Sequence, residues 1–303
     1  MLKHKLKVYD MFSGIGGFSL GFLRAGGFKI CAQAEIEEYP CEVLRKNFYG
    51  VPNFGDVTKI KYSLNQFDVI IGGFPCTDIS IAAWNATGGI YGARSILWKE
   101  YFRAIAEIRP KYCVIENVHM LLRRGLNTIL SDLAKVGYDA AWTTLDAKYC
   151  GTAQRRRRVY VLGVRDGITI GADPFEFAGR DTDAHRSKIR LVDQGFEWNF
   201  ESREKVGQAF AYFTEQRSDE FDTCGVSATL TKRDYKDFTD LVVSAGHIRK
   251  ITPVERLRLL GFPDNWHIEH ARESDKYKYC GMHVPAVEHI ADCLRRYDWS
   301  LDV

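Results

Sequence analysis

The strongest constraint on the fold lies in the first 165 residues, where short apolar runs alternate with segments whose apolar residues recur at helical spacing. Leu6 to Phe12 reads as a strand, Phe18 to Ala25 as a helix, Lys29 to Glu35 as a strand and Tyr39 to Asn47 as a helix. Phe67 to Gly72, whose apolar run is Val69-Ile70-Ile71, and Tyr112 to Ile115 have the short character of buried strands. Tyr101 to Ile108 and Leu126 to Val136 read as helices, and Val159 to Val164 as a late strand. Strands alternating with helices predict a parallel, doubly wound α/β sheet. From about Asp166 to His247 the pattern breaks. This stretch has 16 acidic and 10 basic side chains, a net of −6. Helical spacing returns at Thr252 to Leu260 and again from Val284 to Tyr297.

Composition narrows the class. A chain of 303 residues with 46% hydrophobic and 27% charged side chains can bury a core and is neither collagen-like nor low-complexity. The overall charge of +3 says nothing about a nucleic-acid partner, although outside the acidic stretch the chain carries +9. No two of the eight cysteines are three positions apart, so there is no CxxC metal or redox knuckle, and their scatter is unlike a disulfide framework. No apolar run approaches a membrane span, and no secretory signal is evident at the N-terminus. The expectation is a soluble, reduced, cytoplasmic protein without a metal.

Four stretches have chemical potential. Asp10-Met11-Phe12-Ser13-Gly14-Ile15-Gly16-Gly17 puts glycines between a strand and a helix, where the backbone can approach a ligand at a helix N-terminus. Glu35, 19 residues after Gly16, ends the next strand, where an acid can accept from ribose hydroxyls. Ser19 at the last glycine position disfavours a pyrophosphate cradle and leaves a nucleoside without phosphates, or simply a tight turn. Gly72-Gly73-Phe74-Pro75-Cys76 sets a thiol just past a buried strand, where open α/β sheets place their sites, although a lone cysteine is more often a packing residue. The glycine-bearing stretch Ile81 to Arg94 would suit a lid. Glu116, leaving another buried strand, is either an ion-pair partner or an acid with raised pKa. In Gln154-Arg155-Arg156-Arg157-Arg158 strand alternation would turn Gln154, Arg156 and Arg158 to one face, where arginines need an anionic or carbonyl partner.

In this order the four stretches resemble the motifs of the DNA cytosine-5 methyltransferases of prokaryotes and phages. Gly55-Asp56-Val57, Arg94-Ser95-Ile96-Leu97 and the run from Arg249 to Pro263 add to the resemblance. It implies a Rossmann-like S-adenosylmethionine-dependent core at 1–166 and 270–303, with a smaller, irregular, β-rich target-recognition domain at 167–269. It also implies that Cys76 attacks carbon 6 of a flipped-out cytosine, that Glu116 binds ring nitrogen 3, and that Arg158 contacts the base with Arg156 supporting the thiolate and acid. S-adenosylmethionine would be lined by Phe12, Ser13, Gly14, Ile15, Gly16, Gly17, Glu35, Ile36, Asp56, Val57, Phe74 and Leu97. Gln154, Thr229, Leu230, Lys232, Arg233 and Arg249 would serve DNA binding. The implied partners are double-stranded DNA and a restriction endonuclease of the same site, with the enzyme a monomer.

The tail departs from the family's pattern. The family shows Gly-Asn, a small residue, Val and Pro, whereas this chain reads Gly281-Met282-His283-Val284-Pro285. Met282 cannot make the hydrogen bonds of asparagine, so the carry-over stops there and weak cofactor binding is a consequence. A tRNA methyltransferase with the same motifs, a binding module that has lost turnover and a nicotinamide dehydrogenase are the alternatives. The threonine–leucine pair at Thr229-Leu230 favours DNA over tRNA, the retained Cys76 and Glu116 favour turnover, and the glycine spacing disfavours the dehydrogenase.

Overall fold

A computed structural model of the chain describes residues 5–75, 96–152, 154–168, 209–213, 221–222, 227, 229–230, 240–244, 247–268, 276 and 282–300. The first sheet contains β1 (Leu6–Met11), β2 (Phe28–Ala34), β3 (Val69–Gly73), β4 (Tyr112–Val118), β5 (Tyr138–Asp146) and β6 (Arg157–Arg165). Its spatial order is β2-β1-β3-β4-β6-β5. The intervening helices are α1 (Gly17–Ala25), α2 (Glu38–Asn47), α3 (Ile96–Ile108), the single turn α4 (Leu121–Arg124) and α5 (Leu126–Lys135).

Side chains alternate across β1, β3 and β4, and each face builds its own apolar cluster. Tyr9, Met11, Ile70 and Ile115 pack under α3 and α5 with Trp98, Tyr101, Ile105, Ile129 and Leu133. Val8, Ile71, Val114 and Leu162 face the other way, onto Phe18 and Phe22 of α1 and onto α7 (Val284–Ser300). Both faces of the central strands are covered, which is why β3 and the first half of β4 read as short apolar runs.

Two expectations need correction. The sheet is mixed, because β6 runs antiparallel to both β4 and β5. Only ten residues separate β5 from β6, too few for a crossover helix, so the chain returns beside β5 in the opposite direction. The strand β5 itself has no clear apolar period, since it lies at the sheet edge and most of its side chains are only partly buried. The first strand also stops at Met11, because Phe12 takes a φ of 58° and cannot extend it.

A second, antiparallel sheet orders β10 (His247–Lys250), β9 (Asp240–Ser244), β7 (Ala209–Phe213) and β8 (Phe221–Asp222). It lies within the compositionally distinct stretch and its margin. After it, α6 (Pro253–Leu259) starts with a capping box between Thr252 and Glu255. Leu257, Leu260, Phe262 and Trp266 then pack on Ile15, Val43, Leu44 and Phe48. The Trp266 indole N–H donates to the Ile15 carbonyl at 3.2 Å. No described helix is long and apolar enough to cross a membrane.

The α1–α7 contact depends on Gly21. A Cβ there would meet Val287 Cγ1 at 2.6 Å and the Glu288 backbone nitrogen at 3.0 Å. Alanine favours a helix over glycine by about 1 kcal/mol, but overpacking costs about 1–3 kcal/mol and backbone cannot step aside cheaply. Gly21→Ala is therefore expected to lower the free energy of unfolding, as read by urea denaturation; a more stable variant would contradict this packing.

Candidate active site

Strand order reverses between β1 and β3, so the connections leaving their carboxyl ends diverge and open a crevice there. Register aligns the site along that edge. Met11 pairs with Ala34 and Gly72, Gly73 pairs with Glu116, and Glu116 pairs with Tyr160. The turn after β1, Glu35 after β2, Phe74 after β3 and Glu116 in β4 thus share one rim.

The turn is held from beneath. The Ser13 amide donates to the Ala34 carbonyl at 3.0 Å, and the Ser13 hydroxyl donates to the Asp10 carbonyl at 2.7 Å. Phe12, Gly14 and Gly16 all have positive φ. A Cβ on Gly14 would meet nothing within 4 Å, whereas one on Gly16 would strike Phe48 at 2.4 Å. Gly14 therefore borders open space, while Gly16 and Gly17 allow close packing beneath the turn. Ile15 is buried in the cluster with Leu257 and Trp266. Phe12 stacks on Tyr101 with ring centroids 6.3 Å apart.

Glu35 accepts from the Gly14 amide through Oε2 at 2.9 Å and from the Ile36 and Glu37 amides through Oε1 at 2.8 and 2.9 Å. A carboxylate offers about four lone-pair sites, so one acceptor position is left beyond these three bonds. Asn53, which no sequence pattern singled out, brackets the same residue. Its Oδ1 accepts from the Glu35 amide at 2.9 Å and its Nδ2 donates to the Glu35 carbonyl at 3.1 Å. Ile36 is 70% exposed. Asp56 caps a short 3-10 helix through Thr58, Val57 is buried, and Leu97 is half-buried against the α3 cluster.

Phe74 is buried against Trp98, and its carbonyl accepts from Asn117 Nδ2 at 3.1 Å. Asn117 thereby fixes the backbone two residues before Cys76 against β4. Cys76 itself, the 81–94 lid stretch, Lys232 and Arg233 lie outside the described residues.

Glu116 is 7% exposed and forms an ion pair with Arg158, Nε to Oε1 at 3.0 Å. Because β6 is antiparallel, Arg158 is the diagonal neighbour of Glu116 on the same sheet face, within reach of a long side chain. Burial lifts the Glu116 carboxyl above its ordinary value, and the Arg158 and Arg156 charges oppose the lift. Gln154 and Arg156 are buried while Arg155 and Arg157 are exposed, as the strand period requires. The Gln154 amide has no hydrogen-bond partner among the described residues. Its backbone bridges to Ser227, and Thr229 Oγ1 donates to the Arg155 carbonyl at 2.6 Å. Leu230, expected among the DNA contacts, is 2% exposed and packs in the cluster with Leu257, which makes it an anchor with no free surface. Arg249 lies in β10 opposite Val242.

Met282 enters the site from the tail. A Cβ on Gly17 would meet Met282 Cβ at 2.8 Å, and one on Gly73 would meet Met282 Cε at 3.0 Å and Glu116 Oε2 at 2.5 Å. Both glycines are therefore needed for close approach, and the methionine fills by packing a place where the family's asparagine would hydrogen-bond.

The sequence profile of the C-5 cytosine-specific DNA methylases matches residues 6–182 and 178–295. The chain is 31% identical over 310 residues to the type II methyltransferase M1.ScrFI of Lactococcus lactis subsp. cremoris, covering 95% of this chain and 77% of that one. It is 30% identical over 324 residues to the type II methyltransferase M.NgoPII of Neisseria gonorrhoeae, covering 92% of each. Among solved structures, a DNA modification methyltransferase encoded within an E. coli prophage superposes with a TM-score of 0.70 at 20% identity, covering 97% of this chain and 99% of that one. The S. pombe Dnmt2 methyltransferase superposes at 0.69 with 17% identity, covering 96% and 99%. The chain belongs to the C-5 cytosine-specific DNA methylase family.

Asp10 is a fully buried acid in β1. Its Oδ2 accepts from the Ser19 amide and hydroxyl at 3.1 and 2.6 Å, while Oδ1 has no partner among the described residues. Burial pushes its carboxyl up from 3.8 to about 7, against the two Ser19 bonds. Between those values the folded chain holds a proton that the unfolded chain has released, so this group's contribution to stability falls as pH rises. Asp10→Asn should therefore gain thermal stability relative to the parent on going from about pH 5 to about pH 8. A difference in melting temperature that does not change with pH would contradict this.

Proposed function

We propose that the chain transfers a methyl group from S-adenosylmethionine to carbon 5 of a flipped-out cytosine in a specific duplex DNA sequence, yielding 5-methylcytosine and S-adenosylhomocysteine. The observation that carries the site assignment is the Glu116–Arg158 pair, buried at the carboxyl edge next to Gly73. DNA cytosine-5 methylation as such follows from family membership.

The residues divide the work as follows. Cytosine is a poor nucleophile at carbon 5, and addition of the Cys76 thiolate at carbon 6 makes carbon 5 electron-rich enough to take the methyl group. Glu116, whose protonated form burial favours, donates to ring nitrogen 3 and stabilises the electron density displaced onto the ring. Arg158 orients Glu116 and offers its remaining donors to the base carbonyl. Removal of the carbon-5 proton and expulsion of the thiolate then restore the ring. The base must leave the stack before carbon 6 can be reached.

The residues around the first turn suit S-adenosylmethionine. Gly14 borders open space, Glu35 keeps one acceptor position for a ribose hydroxyl, and the exposed Ile36 offers apolar surface for an adenine. When bound, the cofactor supplies a methyl group activated by its sulfonium.

The antiparallel sheet β10-β9-β7-β8 supports a DNA-reading lobe within 167–269, and the packing of Leu257 and Trp266 on α2 supports ending that lobe near residue 250. Thr229 and Arg249 would act there, with Lys232 and Arg233 contacting phosphate and making binding salt dependent. The type II designation of M1.ScrFI and M.NgoPII supports pairing with a restriction endonuclease of the same site.

Tritium transfer from labelled S-adenosylmethionine to duplex DNA tests the reading. Cys76→Ala should abolish it, and Glu116→Gln should slow it by about 10²–10⁴-fold. Full activity in either variant would remove that residue's role. Label in tRNA but not in DNA would overturn the substrate.

A further inference from the structure

His283 stands where the family has a small residue, and it is 1% exposed. The Ala286 amide donates to His283 Nδ1 at 3.2 Å, in the first turn of α7. A ring nitrogen that accepts this bond has no proton, so the hydrogen of the neutral ring is on Nε2. Nε2 faces Thr152 Oγ1, and with that tautomer the ring donates and the hydroxyl accepts. Burial, reinforced by the Arg156 and Arg158 charges, pushes the imidazole down to about 3, so the ring stays neutral at any working pH.

The bond to Thr152 joins segments 131 residues apart. Thr152 lies in the turn that connects β5 to β6, and its hydroxyl in turn donates to the Ala147 carbonyl at 3.4 Å. The ends of that turn are tied together, since the Ala147 amide donates to the Arg156 carbonyl at 3.0 Å and the Arg156 amide to Asp146 Oδ1 at 2.9 Å. Two residues later Arg158 meets Glu116. On its other side His283 directly follows Met282, which is packed between Gly17 and Gly73.

We propose that His283 is a positioning residue, whose bridge from the start of α7 to Thr152 fixes the β5–β6 turn so that Arg158 holds Glu116 in place. The proposal rests on the Glu116 and Arg158 roles given above.

Two substitutions separate the ring's two bonds. Asparagine can reproduce the acceptor that caps Ala286 but is too short to reach Thr152. Glutamine can reproduce the Nε2 donor toward Thr152. His283→Asn and Thr152→Val should each lower kcat for methyl transfer about tenfold while KM for S-adenosylmethionine changes less than about twofold, and His283→Gln should recover most of the loss. The second readout is the Arg158 Nε–H resonance in NMR, which should shift in His283→Asn and return in His283→Gln whether or not the chain turns over. An inactive parent chain would defeat the functional reading alone, leaving the resonance to decide this proposal. An unmoved Arg158 resonance in His283→Asn, a parental kcat in that variant of an active chain, or a glutamine variant as impaired as the asparagine one would overturn it.

Discussion

The antiparallel pairing of β6 with β4 is the constraint on which the site depends. In a parallel sheet the beginning of a strand lies at the edge opposite the carboxyl ends. Reversing β6 brings its first residues to the same rim as the ends of β1, β3 and β4, and Arg158 arrives diagonal to Glu116. A buried ion pair of this kind is weak evidence for stability, because desolvating both charges costs about as much as their attraction returns. Removing one partner is another matter: a buried carboxylate left alone would take up a proton. The pair is thus better understood as setting the direction of Glu116 than as holding the fold together.

The second constraint is closeness. Gly17, Gly21 and Gly73 each lack the Cβ that would collide with the tail helix, its preceding Met282, or Glu116. The last segment of the chain can therefore pack onto the first, and α6 with Trp266 closes over Ile15 from the same side. Met282 touches both the first turn at Gly17 and the Glu116 edge at Gly73, so a change in the tail is felt by both.

Much of this was legible in the sequence, and the reasons are physical. β3 and the first half of β4 are covered on both faces and read as apolar runs; α1 and α5 show their buried stripes. Alternation predicted that Gln154, Arg156 and Arg158 would share a face, and the burial pattern follows it. Strand direction was not legible, because apolar periodicity is the same in both senses and only the short β5–β6 connection decides it. β5 was missed because an edge strand needs little apolar surface. Asn53 and Asn117 were not assigned roles because they act by bonding backbone groups distant in sequence, at Glu35 and Phe74. Leu230 carried a motif's signature, yet its burial belongs to packing. His283 gave a signal only as a departure from a family pattern, and its partner Thr152 gave none.

The central claim is that this edge chemistry acts on cytosine carbon 5 in DNA. Bisulfite sequencing of DNA from cells that express the chain, beside cells that express Cys76→Ala, tests it most directly. The expected result is protected cytosine at one recurring sequence context in the first sample and none at that context in the second. Unprotected cytosine throughout the first sample, or equal protection in both, would contradict it.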